Sequence, residues 1–383
     1  MSFRCDEVIF LLGAGASVDA GVLSSYKMIE QIEKLIQDDE EWKELKKLYY
    51  FLKSAIAFSE GIKGKNDDAQ YNIEILLVTI EELLKRDSHP LFPFIGAWIP
   101  MLPEVAKEDF SHVLKLKKRI VNKLKGWIMP RYNDCFDYYQ GLFRFQKDFR
   151  FPLRVFSLNY DLAVEISGRE FGNSSNGRGF VERGFNPQSH KWDWQLLADE
   201  PNDNVDIFLY KLHGSIDWIR GADGELIACD NLQNDEENEV IFGTAYKMQY
   251  ADPFLFFAYE FRRRTLTDAK VIFCIGYSFS DDHINKILQQ AIKADSNRKI
   301  VSVGPCNDEI KETSRVCSKL QIEEKNCSNQ IIILKETAKK FFEGLTVEKV
   351  NQYIVQNDED IPFAPPQTTF CDTLPLDNST GNK

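Results

Sequence analysis

Asn159 and His213 are the side chains whose type and setting best suit them to chemistry. His213 is one of five histidines and stands in Tyr210-Lys211-Leu212-His213-Gly214-Ser215, at the end of an apolar run and directly before a glycine. A neutral imidazole accepts a proton near cellular pH, so this ring can act as a general base. A lone histidine can equally be structural. Asn159 closes a second apolar run in Phe156-Ser157-Leu158-Asn159-Tyr160-Asp161. Its amide can hold a hydroxyl group or a water. Asp161, two residues on, can orient a loop or cap the following helix, and the two readings stand side by side.

Two glycine turns accompany these residues. The first is Gly13-Ala14-Gly15-Ala16-Ser17, reached directly from the apolar run Val8-Ile9-Phe10-Leu11-Leu12. A buried strand that ends in glycines at a helix N-terminus presents bare backbone amides and a positive dipole end, which suits a pyrophosphate. Ser17 can cap that helix or donate to a phosphate oxygen. The third glycine of G-x-G-x-x-G is replaced by Val18, and no acidic residue closes a second strand soon afterwards. A plain hydride-transfer dinucleotide site is therefore not supported. The second turn is Ile275-Gly276-Tyr277-Ser278-Phe279-Ser280-Asp281-Asp282-His283. Gly276 and Ser278 can line a nucleotide pocket. Ser280 is expected to cap the next helix, with Asp281 and Asp282 favoured electrostatically at its N-terminus. His283 is expected to face outward.

These residues need a scaffold that brings strand ends together. Short runs rich in Val, Ile, Phe and Leu recur at 8–12, 154–158, 207–212, 271–275, 300–303 and 331–334, as strands buried on both faces do. Helical patterns lie between several of them. Met28, Ile29, Ile32, Leu35 and Ile36 share one helical face, as do Ile284, Ile287, Leu288, Ala291 and Ile292. Strand alternating with helix predicts a parallel α/β sheet. The rhythm breaks at 37–150, where apolar residues follow a helical period and no buried strand is evident. This stretch reads as a large helical insertion. It interrupts one domain spanning 1–345, whose sheet parts lie at about 6–36 and 152–335. A glycine- and serine-rich loop occupies 172–179 and an acidic turn region 230–239. Residues 346–383, with four prolines in the last part, read as a tail for docking or free movement.

Composition narrows the class. The chain has 383 residues, 47 of them Lys or Arg and 59 Asp or Glu, for a net charge of -12. Phosphate-backbone binding rests on Lys and Arg, so direct nucleic-acid binding is not expected. None of the eight cysteines has C-x-x-C spacing, so neither a zinc knuckle nor dithiol redox chemistry is indicated. No apolar run is long enough to span a bilayer and no leader is evident, so a reduced cytoplasmic setting and no membrane are expected.

Taken in order, GAGAS, S-L-N-Y-D, L-H-G-S and G-Y-S-F-S-D-D resemble the motifs of the sirtuin superfamily. The closer likeness is to sirtuin-like NAD-consuming effectors of bacterial antiphage defence, above all the sirtuin-like subunit of two-gene systems with a HerA-like ATPase. The resemblance covers about residues 6–36 and 152–335. It departs from deacylase sirtuins at three places. No pair of C-x-x-C motifs follows the histidine, Gly21-Val22-Leu23-Ser24-Ser25 stands where a G-I-P-x-F-R-like segment would be, and Leu158 stands where their Q-N-x-D motif has glutamine.

The resemblance implies a Rossmann-like fold and cleavage of NAD to nicotinamide and ADP-ribose with water as acceptor. Asn159 and His213 would be catalytic. Gly13, Ala14, Gly15, Ala16, Ser17, Asp161, Gly276 and Ser278 would bind the nucleotide. No cofactor beyond NAD as substrate, and no zinc, is implied. Such an activity would be toxic if unchecked, so a homo-oligomer and a HerA-like ATPase partner are expected to control it, as in abortive infection. One alternative is a non-catalytic module that senses NAD or ADP-ribose and gates a partner. Another is a protein deacylase or ADP-ribosyltransferase.

Overall fold

The computed structural model describes residues 7–62, 64, 71–85, 101–107, 109–129, 133–171, 181–198, 205–221, 224–229, 252–323, 327 and 329–354. The loop at 172–179, the acidic region at 230–239 and the last part of the tail lie outside them. The strands are β1 (Val8–Leu12), β2 (Leu153–Ser157), β3 (Val181–Glu182), β4 (Ile207–Lys211), β5 (Trp218–Arg220), β6 (Leu226–Ala228), β7 (Val271–Ile275), β8 (Lys299–Val303) and β9 (Ile331–Leu334). Seven of them form one sheet, in the order β3-β4-β2-β1-β7-β8-β9. Every pairing in it is parallel. β5 and β6 form a separate antiparallel pair. This is the α/β, Rossmann-like architecture that alternating strands and helices predict.

The strand sequences explain the layering. Side chains alternate across a strand, so a strand buried on both faces must be apolar at every position. β1 meets that condition with VIFLL. Val8, Phe10 and Leu12 join the core on one face, and Ile9 and Leu11 join a second core on the other. The first core also contains the insertion, so the inserted helices extend the sheet domain's own core. They are α2 (Glu40–Lys43), α3 (Lys46–Ile62), α4 (Ile73–Leu84), α5 (Met101–Ala106), α6 (Ser111–Ile128) and α7 (Gln140–Phe149), preceded by α1 (Ser25–Asp38). On α6 the residues Val113, Leu116, Ile120, Leu124 and Ile128 are buried while Lys118 and Lys123 are exposed, the pattern of an amphipathic helix. α8 (Ala163–Phe171) follows β2, and α9 (Gln195–Ala198) is a single turn. The second face is covered by α10 (Phe254–Thr267), α11 (Asp282–Ala294) and α12 (Glu309–Leu320), through Phe257, Phe261, Leu288 and Val316. The first residues of the expected tail pack against the sheet domain. α13 (Ala338–Glu343) is followed by α14 (Val347–Asn351), and Val350 and Ile354 are buried in the first core.

Two local expectations are revised. The glycine turn after β1 does not open an α-helix. It opens a 3-10 segment, Ala14–Ala20, which Gly21 stops in a left-handed conformation with φ 83. α1 begins only at Ser25, with Ser24 as its cap. Cys317 and Cys327 form a disulfide, whereas reduced thiols were expected. Among the described residues, no helix is long and apolar enough to cross a membrane.

Candidate active site

The register of the sheet assembles the site. Leu12 pairs with Ser157 and with Ile275, and Ser157 pairs with Lys211. Ala14, Asn159, Tyr277 and His213 each lie two residues beyond that line. The four motifs therefore leave the sheet side by side at its C-terminal edge. The chain runs from β1 to β2 on one side and later returns to β7 on the other, so the crevice between β1 and β7 is the topological switch point, where open α/β sheets bind ligands.

The two glycine turns lock together at this crevice. Gly13 donates its amide to the Ile275 carbonyl and Gly15 to the Gly276 carbonyl, both at 2.9 Å. A Cβ on Gly13 would lie 2.6 Å from the Gly276 oxygen, and one on Gly276 would lie 2.2 Å from the Ala16 nitrogen. Gly276 also needs its φ of 62. The glycines thus serve the close approach of two loops. The amides of Gly13, Gly15 and Ala16 are all engaged within the protein, so the turn is less bare than its sequence suggests.

A cleft of about 740 Å³ opens over this junction. Gly13, Ala14, Gly15, His213, Gly276 and Ser278 line it, together with Asn72, Glu74, Asp281 and Arg315. A smaller, mostly apolar recess of about 50 Å³ is lined by Asn159 and Asp161, and it shares Ala14, Ser25, Glu74 and Leu158 with the cleft. Six of the ten sequence-nominated residues therefore line the cleft. Asn159 and Asp161 line the recess, and Ala16 and Ser17 line neither. Ser17 is fully buried. Its hydroxyl accepts from Asn159 Nδ2 at 3.3 Å and meets the Tyr139 hydroxyl at 3.2 Å. In this arrangement it fixes the Asn159 amide instead of facing a phosphate. Burial pushes the Tyr139 phenol well above its ordinary range, so it remains protonated.

Asn159 is 6% exposed, and its Oδ1 has no hydrogen-bond partner. An unpaired buried acceptor costs roughly 1–3 kcal/mol, which a ligand donor would offset. His213 is equally buried. Its Nε2 lies 3.1 Å from Asp281 Oδ2, and a carboxylate only accepts, so Nε2 carries the proton. In the neutral ring Nδ1 is then the acceptor, and it is buried without a hydrogen bond. Asp281 also caps α11, accepting from the amides of His283 and Ile284. That cap was expected at Ser280, but it is Asp281 that has the extended backbone an N-cap needs. Ser280 instead bonds the Ser278 hydroxyl at 2.6 Å. His283 is exposed, as expected, and stands among the residues that border the cleft.

Asp161 caps locally, its Oδ1 accepting from the Ala163 amide at 3.0 Å. Beneath the His213 loop lies a buried ionic network. Lys211 donates to the Asp161 carbonyl and sits 3.4 Å from Glu165, while Arg183 reaches Glu165 at 3.5 Å and Asp217 at 2.7 Å. Burial works to raise the Asp217 carboxyl, but Arg183, the Ser215 hydroxyl and Lys211 outweigh it and hold it below its ordinary value. The loop is thereby pinned to α8 and β3.

Asp281, Glu74 and Arg315 were not singled out from sequence as site residues. Asp281 reads as an ordinary cap residue. Glu74 sits in the insertion with no motif around it. Arg315 lies on α12, held by two bonds to Glu312, and donates to the Ser278 carbonyl at 2.9 Å. That pairing keeps the guanidinium charged and lowers the Glu312 carboxyl. The cleft thus carries carboxylates around His213 and a guanidinium near Ser278.

No curated protein matches this chain. Residues 153–328 match the family model described as SIR2-like domain. The match spans β2 through the segment before β9 and includes Asn159, His213, Gly276 and Asp281, while β1 and the helical insertion lie before it. SIR2-like proteins are generally NAD-dependent enzymes, and the matched segment, with its parallel strands, is similar to that domain.

Proposed function

We propose that this chain is an NAD glycohydrolase, cleaving NAD to nicotinamide and ADP-ribose with water as acceptor. The observation that carries the reading is a pair of buried atoms without a hydrogen-bond partner, Asn159 Oδ1 and His213 Nδ1, just beyond neighbouring strands at the C-terminal edge of the sheet. Hydrolysis at the ribose carbon asks for few groups. Nicotinamide leaves as a neutral molecule from a cationic ring, so its departure needs no general acid. The transition state resembles an oxocarbenium ion, as in glycoside cleavage. Asn159 Oδ1 would accept from a ribose hydroxyl or from the attacking water. His213 Nδ1 would take a proton, with Asp281 holding the ring from the other side.

The charge pattern suits this substrate. Carboxylates beside His213 favour the cationic nicotinamide ring and the positive charge developing on the ribose. Arg315, across the cleft near Ser278, favours the pyrophosphate. Ala14 and the glycines at the cleft floor allow close approach of the nucleotide backbone. Neither zinc nor another cofactor enters this chemistry.

The biological part of the proposal rests on the sequence resemblance: a cytoplasmic homo-oligomer that depletes NAD as an antiphage, abortive-infection effector, held in check by a HerA-like ATPase partner. The test is NAD turnover by the purified chain with and without such a partner, scored as nicotinamide and ADP-ribose. Tight NAD binding with no turnover in any assembly would favour a sensor module. Acyl-ADP-ribose or labelled protein as product would favour a deacylase or an ADP-ribosyltransferase.

A further inference from the structure

Glu74 comes from the helical insertion, outside the segment that matches the family model. It occupies the first turn of α4, where Asn72 caps the helix by accepting from the Ile75 amide at 3.0 Å. That cap holds the helix start against the cleft, and Glu74 lines both the cleft and the recess. Its Oε1 is 3.8 Å from His213 Nδ1. This is the nitrogen left without a hydrogen bond once Nε2 is committed to Asp281. About 1 Å of side-chain movement would bring the pair to charge-assisted hydrogen-bond distance.

We propose that Glu74 is the proton-accepting partner of His213 in NAD hydrolysis, an inference that rests on the glycohydrolase reading. In the step it serves, a water oxygen bonds to the ribose carbon. The bond from that carbon to the pyridinium nitrogen breaks, and its electron pair goes to nitrogen. One water proton passes to His213 Nδ1. The imidazolium so formed then donates that proton to the Glu74 carboxylate. The products are neutral nicotinamide, ADP-ribose and a protonated Glu74, so charge and atoms balance. The insertion is then part of the active site, supplying a group that the sheet motifs do not encode.

The test compares Glu74→Gln, Glu74→Asp and Glu74→Ala with the wild type in the complete assembly. Loss of a proton acceptor predicts a fall in kcat of about 10²-fold for E74Q with KM changed less than about threefold, because the loss is confined to the transition state. E74D should recover part of that rate, and added formate should rescue E74A but not E74Q. A second readout needs no turnover. In histidine-ring nitrogen NMR, E74Q should move the His213 Nδ1 signal and leave Nε2 unchanged. Wild-type kcat in E74Q, or an unmoved Nδ1 signal, overturns the pairing. Absence of turnover in the wild type overturns the glycohydrolase reading, and the proton path with it, even where the Nδ1 signal moves.

Discussion

Replacing Gly13 with alanine tests whether the two glycine turns are a mechanical lock. The new Cβ would lie 2.6 Å from both the Gly276 oxygen and the Tyr277 Cα. Both are backbone atoms, so no side chain can swing away. Restoring ordinary contact requires the loops to part by about 0.8 Å, which would stretch the 2.9 Å bonds from Gly13 and Gly15 to about 3.7 Å, beyond hydrogen-bond range. Two buried backbone pairs weakened at roughly 1–3 kcal/mol each, with about 1–3 kcal/mol of overpacking strain, give a cost on the order of 3–9 kcal/mol. That is a large share of a typical folding free energy of about 5–15 kcal/mol. At about 2 °C per kcal/mol for a chain of this size, Tm should fall by roughly 6–18 °C. Circular dichroism melts would measure it. Gly126→Ala is the control, because a Cβ there meets nothing within 4 Å. It lies inside a helix, where alanine is favoured by about 0.5–1 kcal/mol, so its Tm should hold or rise. A Gly13→Ala protein that melts within about 2 °C of the wild type, a loss of only about 1 kcal/mol, would refute the lock.

Further expectations follow from the same geometry. Asp281→Asn keeps a good N-cap but places an amide donor against the His213 Nε2 proton, so kcat should fall roughly 10²–10⁴-fold with little change in Tm, read by steady-state kinetics and melts together. Ser17→Ala removes the acceptor that holds Asn159 Nδ2; it should lower kcat about tenfold with KM nearly unchanged, whereas a phosphate-binding role would raise KM. Asp217→Asn breaks a buried pair with Arg183 and should cost about 3–5 kcal/mol near neutral pH. The folded Asp217 carboxyl sits below its ordinary value of 3.8, so its contribution is present above that pH and fades as the pH drops below it. Wild type and variant should therefore converge in urea stability as the pH is lowered through 3.8; curves that stay parallel would refute the assignment.

Much of the sheet was legible because its strands are buried on both faces. Continuous apolar runs locate β1, β7 and β9 at their observed bounds and β2, β4 and β8 to within a residue. β3 escaped notice because two edge residues carry no periodic signal, and the β5–β6 hairpin is short and only partly buried. Asn159 and His213 could be nominated because strand ends in a parallel sheet converge on one edge. The inward setting of Ser17 was not legible, because its bonds to Asn159 and Tyr139 join residues more than a hundred positions apart. Glu74 and Asp281 were overlooked as His213's companions because each is an ordinary residue for the first turn or cap of a helix. Only the packing of α4 and α11 against the sheet brings their carboxylates to opposite nitrogens of one ring.

The central claim is that Asn159 and His213 form a hydrolytic site for NAD. Its most direct test is NAD turnover by the wild type beside Asn159→Ala and His213→Ala, with and without a HerA-like ATPase partner, after circular dichroism has shown all three to be folded. The account predicts release of nicotinamide and ADP-ribose by the wild type and loss of both products in each variant. Turnover that survives in either variant, or none in any wild-type assembly despite NAD binding, would contradict it.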